Sequence, residues 1–456
     1  MSAINAAAQA GTDADSAIGR SAMRKATWRL IPLIALGYGT AYMDRINIGY
    51  AQLQMNADLH FSYTVFSIGA GIFFLSYAAC EIPSNLLLYR VGARRWLARI
   101  MLTWGLLAMA MLFVRTPLQF YAMRFLLGMA EAGFFPGVLY YLTQWFPSNL
   151  RARTISRFYI ALPLSAVFMG AIAGSLFRLN GLLGLRGWQW LFLVEGLPPV
   201  LLSTLFFRFL PDTPHDARWL SIAERQWIED RLAEEAIDRT GSHATGLAAA
   251  LRDPRVWLFG LTNLLMLGVS YASTFALPDM VRSLTSLSVA SVGYILSAMG
   301  LLGALGMIVN AILSDRGGQL YGHQPYGYMI VPALLEAICL AAVTLTVTPW
   351  LAILILAGMY LMHNAIQGPL LAVPSTFLKG RGAAAGLATI NMVGIFGGVL
   401  YPPLMGYLRD RTGNYRSGFL LLSATMLAAT GVVFTLRAMS TRQIRRTLER
   451  HATLPS

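Results

Sequence analysis

The chain has 456 residues, of which 56% are hydrophobic and only 12% charged, against about 25% charged in an average soluble domain. That composition excludes a soluble globular protein, and the formal net charge of +14 follows from membrane topology and anionic inner-leaflet lipid rather than from nucleic-acid binding. Cys80 and Cys339 fall in different predicted spans, so neither a disulfide nor a metal site is expected, and no cofactor.

Residues 1–27 are polar and Ala-rich without an apolar stretch, which predicts a cytoplasmic tail and no cleaved signal. Apolar runs of at least about 18 residues, ended by charges, turns or polar clusters, then predict twelve membrane-spanning helices. Their approximate cores are 30–51, 63–89, 96–114, 118–142, 154–177, 189–210, 255–280, 289–314, 327–347, 350–374, 383–408 and 417–438. The spans group into a six-helix unit at 28–210 and another at 254–438, with a linker at 211–253 and a cytoplasmic tail at 439–456. The linker opens on Pro211-Asp212-Thr213-Pro214, a helix stop. Residues 217–236 follow with one apolar face, predicting a short helix on the cytoplasmic surface, either docked or simply solvated. With both termini inside, the inner segments hold 26 of the 35 Lys and Arg residues, the outer loops hold 7, and two, Arg45 and Arg124, are intramembrane. That bias places both termini in the cytoplasm.

The first span carries Asp44 and Arg45, and the fourth carries Arg124 and Glu131. A charge at the bilayer centre costs about 3 kcal/mol or more, so such groups usually face a watery cavity and mark an ion or substrate path. Seven helical residues turn about 700°, which leaves Arg124 and Glu131 on one face two turns apart, sharing a cavity without touching. A static ion-pair network is the competing reading, but buried pairs are a poor source of stability. Arginine is also the better anion ligand, its planar fork meeting a carboxylate bidentately. An anion that competes with Asp44 and Glu131 for the arginines would couple substrate binding to protonation.

Glu81 is placed late in the second span, as a structural or gating partner for cytoplasmic arginines rather than a substrate contact. Glu195 and Glu336 fall in the sixth and ninth spans without a partner that spacing can name. His363, Asn364 and Gln367 form a polar cluster in the tenth span, facing the cavity if buried together. His363 either contacts substrate or is hydrogen-bonded to a neighbouring helix. Asn391, approached through Gly386 and Ala388, is the stronger candidate for the cavity wall. Pro136, Pro163, Pro374 and the pair Pro402-Pro403 are expected to bend or break their spans. No Gly-x-Ser-x-Gly, His-Glu-x-x-His or phosphate-cradling loop is present, so the chain is not expected to be an enzyme.

The turn Tyr89-Arg90-Val91-Gly92-Ala93-Arg94-Arg95 after the second span is echoed by Ser314-Asp315-Arg316-Gly317-Gly318 after the eighth. This repeated turn resembles the Asp-Arg-x-Gly element of the major facilitator superfamily, with Tyr89 standing where the first copy has Asp. A narrower resemblance rests on Tyr42-Met43-Asp44-Arg45-Ile46-Asn47, Glu81-Ile82-Pro83-Ser84-Asn85, Val91 to Trp96, Arg124 to Gly137 and Gly187-Trp188-Gln189-Trp190, and more loosely on Ala383 to Asn391 with Gly397-Gly398. Together these are similar to the anion:cation symporters, particularly the bacterial branch that carries tartrate, phthalate and related carboxylates.

The resemblance implies an all-α membrane protein of twelve transmembrane helices in two pseudo-symmetric six-helix bundles enclosing a midplane site. It implies proton carriage by Asp44 and Glu131 and anion binding by Arg45 and Arg124. Tyr42, Tyr77 and Asn391 match positions lining the cavity of the family's D-galactonate member, with His363 and Gln367 as further candidate contacts. A polar fifth-span position that holds sugar acid there is Leu162 here, which weighs against a long polyhydroxylated substrate. The expected function is proton-coupled import of a small tartrate-, sugar-acid- or phthalate-like carboxylate by a monomer in the bacterial inner membrane. The alternative is a proton antiporter exporting an organic anion or drug, although residues 161–176 lack the Gly-Pro-x-x-Gly-Gly element such exporters usually carry.

Overall fold

The computed structural model describes residues 2–159, 161–240, 251–321, 326–377 and 381–452, and among them every regular element is helical. The first half comprises α1 (Ser2–Leu59), α2 (Tyr63–Val91), α3 (Ala93–Ala110), α4 (Pro117–Glu131), α5 (Phe134–Thr143), α6 (Ser148–Tyr159), α7 (Ala161–Leu176) and α8 (Gly187–Phe209). After α9 (Ile222–Thr240) in the linker come α10 (Pro254–Thr285), α11 (Val289–Tyr321), α12 (Gly327–Val343), α13 (Pro349–Phe377), α14 (Arg381–Thr412) and α15 (Arg416–Ala452).

Nine stretches among the described residues are long and apolar enough to cross a membrane, with α4 and α5 counted as one, Pro117–Thr143. Two shorter apolar helices, Leu164–Leu179 and Gly327–Val343, take the fifth and ninth places. The remaining place is that of α1, which carries Asp44 and Arg45. The first and last helices outrun their predicted cores, starting at Ser2 and ending at Ala452. Once a helix is nucleated, each added residue gains a backbone hydrogen bond, so polar flanks prolong a helix that the apolar core began.

The linker helix is docked, not merely solvated. Ser221 and Glu224 form a reciprocal cap, Ser221 Oγ accepting from Glu224 N at 3.2 Å and Glu224 Oε2 accepting from Ser221 N at 2.8 Å. The same carboxylate accepts from Ser21 Oγ at 2.7 Å and Lys25 Nζ at 2.8 Å, tying α9 to α1. Leu220 and Ile228 are buried, and Trp219 stacks on Trp145 with centroids 5.7 Å apart. Just upstream, Asp212 Oδ1 accepts the Arg94 N–H at 2.8 Å beside Gly92, whose φ of 95° only glycine tolerates well. The linker thus supplies a carboxylate to the turn in which Tyr89 replaces Asp.

The halves meet at the end remote from the linker. Gly71 lies against Val399 O and Pro403, Gly170 against Gly293 O, and Gly174 against Ala290. Small residues permit this close backbone approach. Ser297 Oγ donates to Val167 O at 2.6 Å, Arg282 Nη1 to Leu53 O at 2.6 Å, and the Tyr63 and Thr64 N–H groups to the Asp410 carboxylate at 3.0 and 2.7 Å. The space left there, lined by residues such as Gln52, Tyr63 and Ser67, is about 20 Å³, room for about one water molecule.

Candidate anion and proton site

Helix α4 starts at a reciprocal cap in which Thr116 Oγ1 accepts from Gln119 N and Gln119 Oε1 accepts from Thr116 N, both at 3.3 Å, and Pro117 occupies the first turn. It stops at Glu131 because Gly133 takes a left-handed φ of 88°, and a Cβ at Gly133 would lie 2.3 Å from Ser84 Oγ. The chain resumes as α5, so the fourth crossing is a broken helix rather than one bent at Pro136. Discontinuous helices of this kind commonly build the sites of secondary transporters. The break leaves Glu131 at a helix C-terminus, where the backbone dipole disfavours an anion.

Arg45 of α1 offsets that penalty. Its Nε and Nη2 lie 2.7 and 2.6 Å from Glu131 Oε1, while Glu131 Oε2 has no hydrogen-bond partner. The Tyr77 ring sits 4.7 Å from Arg45 Cζ, a distance at which the ring face attracts the cation. Arg124 is fully buried, its Nε donating to Gly69 O at 3.3 Å and its Cζ lying 4.5 Å from the Phe73 ring. Its terminal nitrogens Nη1 and Nη2 are both without a partner. Asp44 is also buried, accepts from Asn47 Nδ2 at 3.3 Å, and leaves Oδ2 unpartnered within electrostatic reach of Glu131 and both arginines. Each unmet buried polar atom costs about 1–3 kcal/mol, more when charged. A guanidinium with both terminal nitrogens free is arranged to receive a carboxylate bidentately.

The four charged residues therefore come together, with Arg45 bonded to Glu131, and Arg124 close to Asp44 and Glu131 without touching them. Around Arg45 stand Tyr38, Tyr42, Tyr159 and Tyr271. Tyr271 belongs to α10 and packs on Phe74 with centroids 4.2 Å apart, so the second half reaches the cluster. Tyr42 also lies near Tyr360 of α13. Tyr271 and Tyr360 escaped sequence reasoning because neither sits in a motif and the chain has 19 tyrosines. Glu81 lies one turn beyond Tyr77, and the cation acting on it is Arg45, not the arginines of the following turn.

His363 turns the other way. Its Nδ1 is 2.9 Å from Glu336 Oε1 on α12, both residues being buried. Asn364 donates to Tyr360 O of its own helix at 2.8 Å, so the predicted tenth-span cluster is split. Gln367 and Asn391 are half-buried on α13 and α14, with no side-chain hydrogen bond to the described residues. A larger pocket, about 420 Å³, lies between α1, α6 and α9 around Arg20, Arg24 and Trp28, and shares no residue with this site.

The sequence profile of the Major Facilitator Superfamily matches residues 34–399. The chain is 39% identical, over 94% of both lengths, to an Agrobacterium vitis protein named "Putative tartrate transporter". It is 36% identical, over 93% of its own length and 96% of the other, to the "Quinolone resistance transporter" of Acinetobacter baumannii. Among solved structures, a bacterial homolog of the human lysosomal transporter Spinster, inward-facing and occupied, superposes with a TM-score of 0.72 at 15% identity, covering 90% of this chain and 96% of that one. That likeness bears on the fold alone. Given a family profile that spans most of the chain and a relative 39% identical from end to end, the protein belongs to the Major Facilitator Superfamily and is a membrane transporter.

Proposed function

We propose that the protein is a proton-coupled secondary transporter that imports a small organic carboxylate across the bacterial inner membrane. The observation that carries this reading is the buried Arg124 guanidinium, with two unpartnered terminal nitrogens, beside the Arg45–Glu131 bond. The excess of basic residues in the linker-side segments supports a cytoplasmic linker and cytoplasmic termini. On that orientation the closed end is periplasmic, an arrangement that suits an inward-facing state.

In this cycle, protons arriving from the periplasm neutralise Asp44 and Glu131. Neutral Glu131 no longer holds Arg45, and both arginines become available to the incoming anion. The loaded halves rock, the anion leaves to the cytoplasm, and deprotonated Glu131 takes Arg45 back, giving the arrangement seen here. The anion and the carboxylates thus compete for the same cations, which ties one flux to the other. Two arginines 79 residues apart in sequence but converging on one cluster suit a dicarboxylate, and the name of the Agrobacterium vitis relative points to tartrate. Tyr42, Tyr77 and Tyr271 would line the substrate, with Gln367 and Asn391 completing the wall from the second half. One chain suffices for this mechanism.

The quinolone-resistance relative favours the second reading, export by proton antiport. Proteoliposomes separate the two. Import predicts labelled tartrate accumulating when the outside is acid and collapsing when the gradient is dissipated. Norfloxacin driven out against the proton flow, with no response to tartrate, phthalate or sugar acids, would replace import by export.

A further inference from the structure

The pocket between α1, α6 and α9, about 420 Å³, is of the size that small ligands fill, ~300–1,000 Å³. Its walls are largely apolar, with Met23 from α1, Leu150 from α6, Trp227 from α9 and Phe146 just before α6. Two exposed arginines of α1, Arg20 and Arg24, complete the lining, and none of the described residues lining it is acidic. Gly19 sets how near α9 comes to α1, since a Cβ there would fall 2.3 Å from the Trp227 ring.

The cations around this pocket are not used alike. Lys25 holds Glu224 at 2.8 Å, Arg151 lies 3.5 Å from Glu235, Arg231 lies 3.1 Å from Glu234, and Arg29 Cζ sits 5.4 Å from the Trp219 ring. Three carboxylates of α9 are thereby taken. Arg24 makes no hydrogen bond, ion pair or ring contact with the described residues. It belongs to a ridge of α1 in which Arg20, Arg24, Trp28, Pro32 and Leu36 follow at i, i+4 spacing, all of them exposed. The ridge passes from cations through an indole to an aliphatic side chain. Trp28 is 75% exposed at the edge of the first span, where an indole belongs to the headgroup layer. Arg24 and Arg20 stand about 6 and 12 Å further out along the helix axis.

We propose that this pocket binds the headgroup of an anionic phospholipid, its phosphate on Arg20 and Arg24 and its glycerol against the apolar wall. A guanidinium meets phosphate oxygens with paired donors, and basic pockets at the membrane surface select acidic lipids. A zwitterionic headgroup brings an ammonium that the same arginines repel. Because the walls come from α1, α6 and α9, a lipid seated there bridges the linker helix to the first half and adds to the hold of the Glu224 clasp. Neither the direction of transport nor its coupling to protons enters this inference.

The test uses the full chain in detergent micelles doped with dioleoyl phosphatidylglycerol or dioleoyl phosphatidylcholine, with bound lipid counted by native mass spectrometry and α9 followed by amide exchange. Phosphatidylglycerol, but not phosphatidylcholine, should be retained and should slow exchange in α9. The double variant Arg20→Gln with Arg24→Gln, both at exposed positions, should bind phosphatidylglycerol at least about tenfold more weakly and lose the slowing. Arg24→Glu alone should act in the same direction. A control with equal loss of charge, Arg95→Gln with Arg437→Gln, should keep both. Retention unchanged in the double variant, or lost equally in the control, would overturn the site. Equal slowing by inorganic phosphate or glycerol 3-phosphate would make the ligand a soluble phosphate and overturn the lipid.

Discussion

Arg45 on α1 reaches Glu131, the last residue of α4, through both Nε and Nη2, at 2.7 and 2.6 Å from one and the same oxygen. Doubling up on Oε1 leaves Oε2 bare inside the protein. The contact also spans a helix break, so releasing it changes both the charge and the support of the fourth crossing. On the proposed function, a carboxylate held in this way is suited to exchange with the carboxylate of the substrate.

Replacing Glu131 with Gln removes the charge that Arg45 holds while keeping the side chain's shape. Accumulation driven by a pH gradient should fall at least about tenfold, while exchange of internal for external substrate stays within about threefold. Normal gradient-driven accumulation by Glu131→Gln would take Glu131 out of the coupling role.

Arg124→Lys keeps the charge but loses the planar pair of terminal donors. Substrate affinity should weaken by about tenfold or more, in line with the loss of one charge-assisted hydrogen bond. A thermal-shift titration with tartrate on purified protein reads this directly, and unchanged affinity would show that Arg124 is a packing residue.

His363 and Glu336 hold each other inside the second half. Removing one member of a buried pair strands the other, at a cost of about 3–5 kcal/mol. His363→Ala should therefore lower unfolding resistance in detergent sharply, whereas His363→Gln retains a hydrogen bond and should transport with an unaltered KM. A KM raised without loss of stability would instead place His363 on the substrate.

Asp410 takes the Tyr63 and Thr64 N–H groups at the start of α2, pinning one half to the other. Asp410→Asn should weaken that closure. Spin labels on the ends of α2 and α14 should report a longer mean separation, and an unmoved distance distribution would mean the small-residue contacts hold the end shut alone.

Outside the membrane, Glu224 provides a pH-dependent clasp. Burial pushes its carboxyl up, but hydrogen bonds from Lys25, Ser21 and the Ser221 N–H prevail and bring it from 4.5 down to about 2. A depressed carboxyl contributes stability above its unfolded value and loses that contribution as pH falls toward its folded one. Amide exchange in α9 should thus quicken as pH drops from about 4.5 toward 2, after correction for the intrinsic rate. Glu224→Ala should abolish that dependence and cost about 1 kcal/mol through the lost carboxylate hydrogen bonds, the Ser221 cap on the residue 224 N–H remaining.

Much of the architecture is legible without coordinates because transfer into hydrocarbon is a local property. A run of about 20 apolar residues crosses a bilayer whatever its neighbours are, and a charge inside such a run is conspicuous on sight. Asp44, Arg45, Arg124 and Glu131 could be singled out on that basis alone. Shared helical face likewise follows from spacing, and Arg124 and Glu131 do lie together on α4.

Partnership does not follow in the same way. Arg45 and Glu131 are 86 residues apart, and His363 and Glu336 are 27 apart on separate helices. Which cation meets which carboxylate depends on how helices rotate and cross, and many rotations bury similar apolar area. The break at Gly133, the approach of Tyr271 from the opposite half, and the solitary burial of Glu195 next to Asn47 are settled at the same level. Composition and period determined that this chain spans a membrane and which charges it carries inside. Only packing between distant helices decided which of those charges are neutralised and which are left exposed to a substrate or a proton.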